Sequence, residues 1–208
     1  MKFNTKSGVS FTAAEFNLDH VNLYDIAHGL SFINRFAGQI DRAYNVAQHS
    51  VMVSYICKHL GEPVEVQLQA LLHDATEAYI ADIPAPWKHL LPDYAKLEKR
   101  IWTVISKAFG SPCEMFGIVT FADKVALAIE ALYHLRNKEE SVEEFKERFG
   151  LDRIIWDTAE SGLLKGVRDD TFEAWSQQRS KGEFLRRFNE LNDEILAKGK
   201  EVKNVSCN

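Results

Sequence analysis

From about residue 20 onward the apolar residues recur every three or four positions. That period restricts the chain to a bundle of α-helices. Val46, His49, Val53, Ile56 and Leu60 step by three, four, three and four, which lays one buried stripe along a helix. Gly61-Glu62-Pro63 ends it, and a second helix is predicted from about Val64 to Ile80, stopped where Pro84 and Pro86 deny continuation. Ile26, Leu30 and Ile33 mark an earlier helix that runs to the turn-prone Ala37-Gly38. Tyr94 to Phe109 and Val119 to Arg136 read as two more, the first closed by Gly110-Ser111-Pro112. Phe145, Trp156, Phe172, Trp175, Phe184, Phe188 and Leu191 suggest further short helices. The first twenty residues break the pattern: Phe3, Val9 and Phe11 flank Lys6-Ser7-Gly8, as in a short hairpin. The expected fold is all-α with a short N-terminal β-hairpin, and no linker divides residues 1–208 into more than one domain.

Composition narrows the function classes. With 46% hydrophobic and 26% charged residues the chain can bury a core, unlike a disordered polymer. Lys plus Arg is 25 against 30 Asp plus Glu, a formal charge of −5, which disfavours wrapping a polymeric nucleic acid. Cys57, Cys113 and Cys207 are odd in number and irregularly spaced, so neither a disulfide framework nor a thiolate zinc site is expected. The opening MKFNTKSGVS has no apolar signal core, and no stretch nears the roughly 18 uninterrupted apolar residues of a membrane span. The expectation is a cytoplasmic protein with no membrane partner.

The informative residues are polar ones placed where a core would not choose them. His49 interrupts its apolar stripe, and His73-Asp74-Ala75-Thr76-Glu77 sets three titratable groups within five positions. His73 and Glu77, four apart, share a helical face, with Asp74 about 100° round from His73. Asp123 lies between Phe121-Ala122 and Val125-Ala126-Leu127. Taken singly, His49 reads as a hydrogen-bonded core histidine, Asp74 as a helix-end residue and Asp123 as a carboxylate suited to a helix N-terminus. Burying all of them costs several kcal/mol each unless something compensates, and one divalent cation would compensate them together. Nitrogen and oxygen ligands without a thiolate suit a catalytic Mn, Fe, Co, Ni, Zn or Mg ion better than a structural zinc.

The order His49, His73-Asp74, Asp123 resembles the metal-binding signature of the HD-domain phosphohydrolases. Further blocks are similar to the bacterial 5′-deoxynucleotidases of that superfamily, and closer still to short phage and prophage members that include dATP triphosphohydrolases. These blocks are Asn34-Arg35-Phe36, Asn45-Val46-Ala47-Gln48-His49-Ser50, His73-Asp74-Ala75-Thr76-Glu77 and Asp82-Ile83-Pro84-Ala85-Pro86-Trp87-Lys88. The likeness spans about residues 25–136, leaving 137–208 as a helical extension; Phe36 stands where the deoxynucleotidases carry Trp.

The resemblance implies an HD-type helical bundle, a phage-like origin and a homo-oligomer. It makes His49, His73, Asp74 and Asp123 ligands of one divalent metal, with Glu77 beside Asp74 in the catalytic chemistry. Glu77 would orient or deprotonate water, or protonate the leaving group. Arg35 and Lys88 are candidate phosphate contacts. Phe36 is a candidate base-stacking residue, Gln39 (with Arg42) a base or phosphate contact, and Asp82 a partner for a sugar hydroxyl. The implied substrate is a small deoxynucleotide, purine by expectation. dATP would be cleaved to deoxyadenosine and triphosphate, or a monophosphate to deoxynucleoside and phosphate. Two other classes stay open: a sensor module that binds metal or nucleotide without turnover, and an interaction protein whose His and Asp residues are merely hydrogen-bonded.

Overall fold

The computed structural model describes residues 1–171 and 173–199, with the backbone alone at 168, 170 and 171. Phe172 and Cys207 lie outside the described residues. Two two-residue strands, β1 (Phe3–Asn4) and β2 (Ser10–Phe11), pair antiparallel with Phe3 opposite Phe11. So short a hairpin cannot stand alone. It is anchored where the Asp25 carboxylate accepts from the Ser7 amide at 2.8 Å and the Ser7 hydroxyl at 2.6 Å. Phe11, Phe16 and Tyr79 then close over it as a ring cluster.

Helices carry the rest. α1 (Leu23–Phe32) starts on Asn22, whose side-chain oxygen accepts from the amides of Tyr24 and Asp25. It ends at Phe32, short of the predicted Ala37-Gly38. Asn34 pairs with Asn45, and residues 35–38 form a tight turn with Phe36, Ala37 and Gly38 all at positive φ. α2 (Val46–His59) is capped by Asn45 accepting from the Gln48 amide. The predicted 64–80 helix divides into α3 (Val64–Leu72) and α4 (Glu77–Ile80). The break has a local cause. His73 Nδ1 takes the Ala70 carbonyl at 2.8 Å, and the amides of Ala75 and Glu77 step back three residues instead of four, to Leu72 and Asp74.

The prolines that stop this run also start new helices, since Pro lacks only an N–H that the first turn leaves unused. α5 (Ala85–Lys88) and α6 (Pro92–Ala108) follow, then α7 (Gly117–His134). α8 (Val142–Phe149) opens on a Ser141/Glu144 capping box. α9 (Arg153–Ala159), α10 (Lys165–Thr171) and α11 (Gln177–Ala197) complete the order. α11 corrects the expectation of short C-terminal helices. At 21 residues it lies across α1, α2 and α3, and its buried Arg187 donates to Ser54 on α2 and Gln67 on α3.

α2 is the axis of the molecule. Eleven of its 14 residues are buried, so the apolar stripe understates it: the helix is enclosed on nearly all sides. One apolar cluster joins it to α1, α3, α6 and α11, and a second joins it to α7, α9 and α10. Gly29 is required where α1 crosses α4, because a Cβ there would come within 3.0 Å of the Ala78 Cβ. Among the described residues no helix is long and apolar enough to cross a membrane. Cys57 is free and buried, as expected of an inert thiol.

Candidate metal centre

Three elements deliver the site. His49 comes from the first turn of the enclosed α2, His73 and Asp74 from the break between α3 and α4, and Asp123 from the second turn of α7. His49, His73 and Asp123 each place one ligand atom so that all lie within 4.8 Å of one another, a group that can hold a metal ion. His49 Nε2 lies 3.0 Å from Asp123 Oδ1 and 3.6 Å from Asp74 Oδ2. His73 Nε2 lies 3.1 Å from Asp74 Oδ2 and 3.8 Å from Asp123 Oδ1. The sequence-derived quartet therefore meets, with Asp74 bridging the two imidazoles beside the group of three.

The orientation of the rings says more than the distances. His49 Nδ1 is held at 2.6 Å by Glu130 Oε1, and His73 Nδ1 at 2.8 Å by the Ala70 carbonyl, which can only accept. Each ring so fixed carries its hydrogen on Nδ1 in the neutral form and turns the Nε2 lone pair to the centre. Both Nε2 atoms are buried, and neither makes a hydrogen bond although the carboxylates stand close. Buried nitrogens without partners cost free energy that a shared cation would recover.

Charge follows the same logic. Burial works against ionising Asp74 and Asp123, yet the imidazoles hold both below the usual carboxylate range, Asp74 at about 2. Burial likewise opposes charge on the imidazoles, and is outweighed at His73 by Asp74 and Asp123. At His49 burial and Arg35 are outweighed by Glu130 and Asp123, so both histidines titrate above the ordinary value. The cluster demands positive charge, and protons supply it when a metal does not.

A pH dependence follows. The raised histidines stabilise the metal-free fold fully below about 6.5, and that contribution is lost as pH climbs through their folded values. The depressed aspartates contribute above about 3.8, and lose it as pH falls through theirs. A metal must displace the imidazole protons, so Mn or Co affinity is expected to rise with pH. The rise is up to about two log units per pH unit while both rings are protonated. Calorimetric titrations at pH 6, 7 and 8 in buffers of different ionisation enthalpy measure it, and uptake without proton release would contradict it.

Around this centre, Glu130 is the functional residue that the sequence reading missed. Fully buried on α7, it holds His49 with one oxygen and accepts from Arg35 Nε at 2.9 Å with the other. The signal was present: a carboxylate inside Ala128-Ile129-Glu130-Ala131, seven residues and two turns beyond Asp123. Arg35 also stands 3.9 Å from Asp74 and 5.5 Å from the centre of the Phe36 ring. Glu77 is buried, with Oε2 unpartnered and Oε1 3.7 Å from Lys88 Nζ. Lys88 is nearer to Glu98, at 2.9 Å, a second residue that the sequence did not flag. Burial, followed by repulsion from Asp74 and Asp82, pushes the Glu77 carboxyl up to about 10. Asp82 is half-buried and shifted upward, by burial first. Gln39 is exposed in the turn after Phe36, its amide bonded to the Phe36 carbonyl, and makes no side-chain contact with the centre among the described residues.

Fold and site together define an all-α protein with a partly buried His/Asp group able to hold a metal. No family model matches the chain. The uncharacterized protein YfdR of Escherichia coli is 46% identical over 126 residues, which are 61% of this chain and 68% of that protein. An uncharacterized protein of Rhodobacter capsulatus is 33% identical over 140 residues, 65% of this chain and 69% of that one. The chain belongs to the family of these two proteins.

Proposed function

We propose that this chain is a metal-dependent phosphohydrolase of the HD-domain type acting on small deoxynucleotides. The observation that carries the reading is the pair of anchored imidazoles whose unpartnered Nε2 atoms face Asp74 and Asp123. His49, His73 and Asp123, with Asp74, would hold the ion. When bound, such an ion supplies Lewis-acid stabilisation of phosphoryl charge and acidifies water.

The chain's own residues do the rest. Arg35 and Lys88 bind phosphate oxygens, and their carboxylate partners Glu130 and Glu98 keep them in place. A water oxygen attacks phosphorus and the bond from phosphorus to the 5′-oxygen breaks. That oxygen takes the proton of Glu77, a group that burial keeps neutral, and the proton given up by the water restores it. Phe36 stacks on the base, and Asp82 receives the sugar hydroxyl. A neutral carboxyl beside the metal cluster favours an enzyme over a sensor, which has no use for a proton donor there.

Incubation of the chain with each deoxynucleoside mono- and triphosphate plus Mn, Co or Mg, with chromatography of the products, tests the proposal. Metal-dependent release of a deoxynucleoside together with phosphate or triphosphate is expected. Metal uptake with no turnover on any of these substrates would leave the sensor reading in its place.

A further inference from the structure

We infer that the cleft between α2, α10 and the first turns of α11 is a second small-molecule site, shaped for a planar aromatic ligand bearing one anionic group. Its volume is about 340 Å³, within the range of small-ligand sites. The floor is buried and largely apolar: Tyr44, Val51, Met52 and Trp175. The rim is polar and of mixed charge, with His59, Arg179 and Arg186 exposed and the Glu183 carboxylate among them. A ring on the floor with an anion at the rim is the ligand that such a gradient accepts.

The two rim arginines are not equivalent. Arg186 is committed to Glu183 and Glu190. Arg179 has no carboxylate within ion-pair distance among the described residues; its guanidinium lies 4.5 Å from the centre of the Trp175 ring. It is the cation free to meet an incoming anion. The walls are pre-formed, because the Trp175 amide donates to Gln48 Oε1 at 2.9 Å and the Trp175 carbonyl accepts from Asn45 Nδ2 at 3.4 Å. Gln48, Val51, Met52, Tyr55 and His59 repeat along one face of α2, and His49 projects from another.

Titration calorimetry of the full chain with 1-naphthoate, and with 1-naphthamide as its neutral counterpart, tests this. Saturable 1:1 binding of the naphthoate with Kd below about 1 mM is expected, about tenfold tighter than the amide. Arg179→Ala should erase that difference. Gly166→Trp should abolish binding of both: Gly166 lies at the exposed mouth, and a Cβ there meets nothing within 4 Å, so the fold tolerates the ring that blocks entry. Asp123→Ala should leave naphthoate binding unchanged, which separates this inference from the proposed hydrolysis. No binding by the unaltered chain, equal affinity for the two compounds, or binding that survives Gly166→Trp would each overturn it.

Discussion

Asp123→Ala is expected to lower Mn or Co affinity by at least about 10²-fold and to reduce metal-dependent hydrolysis by about 10³-fold or more, with the fold retained. The lower bound on affinity comes from the outer partners of metal ligands, whose loss alone costs about 10–100-fold. The loss of rate follows because stabilisation worth several kcal/mol goes with the ion, at tenfold per 1.36 kcal/mol. Asp123 is the cleanest of the four to remove. Its side chain is 39% exposed, and Asp74 remains beside both imidazoles, so the metal-free cluster keeps a counter-charge. Glu130 is the opposite case. Its removal would strand Arg35, whose side chain is 13% exposed, and breaking a buried pair costs about 3–5 kcal/mol, so lost activity there would be confounded with unfolding. Metal content after dialysis, the thermal shift on adding Mn, and far-ultraviolet circular dichroism together make the measurement. An Asp123→Ala chain that kept one equivalent of metal and its turnover would remove Asp123 from the centre.

How much of this was legible in the sequence depends on the range of the interaction. Periodicity placed α2, α6 and α7 to within a few residues, because burial along a helix writes itself every three or four positions. The quartet His49, His73, Asp74 and Asp123 was legible for a related reason: a charged group in an apolar run needs a partner, whatever the fold. Three things were not. The break at His73 arises because one imidazole captures a carbonyl three residues back, and no propensity records that contact. The length of α11 was obscured because its exposed face is densely charged, with Arg186, Glu183 and Glu190 diluting the stripe of Phe184, Leu191 and Ile195. Glu130 carried the same signal as Asp123, but its purpose appears only when α7 is laid against α2 and its two oxygens are seen to serve His49 and Arg35.

Glu77→Gln is expected to slow hydrolysis by about 10²- to 10⁴-fold while changing metal affinity by no more than about twofold. The amide keeps the size and hydrogen-bonding reach of the carboxyl but has no proton to give. The distinction between the two variants rests on geometry. Asp123 is in the group that can hold the ion, whereas Glu77 opens α4 beyond the break at His73, with one oxygen near Lys88 and the other unpartnered. The pH profile supplies a readout that a structural role would not move. A carboxyl shifted upward is protonated at neutral pH and loses its proton as pH rises through the folded value. The unaltered enzyme should therefore show a falling alkaline limb in kcat that the Gln variant lacks. That titration should move downward with the metal bound, since added positive charge favours the carboxylate. Comparing kcat across pH for both forms, at saturating Mn, reads the limb directly. A Gln variant with full rate, or with the limb intact, would take the proton-donor role away from Glu77 and leave Asp82 as the other candidate carboxyl with an upward shift.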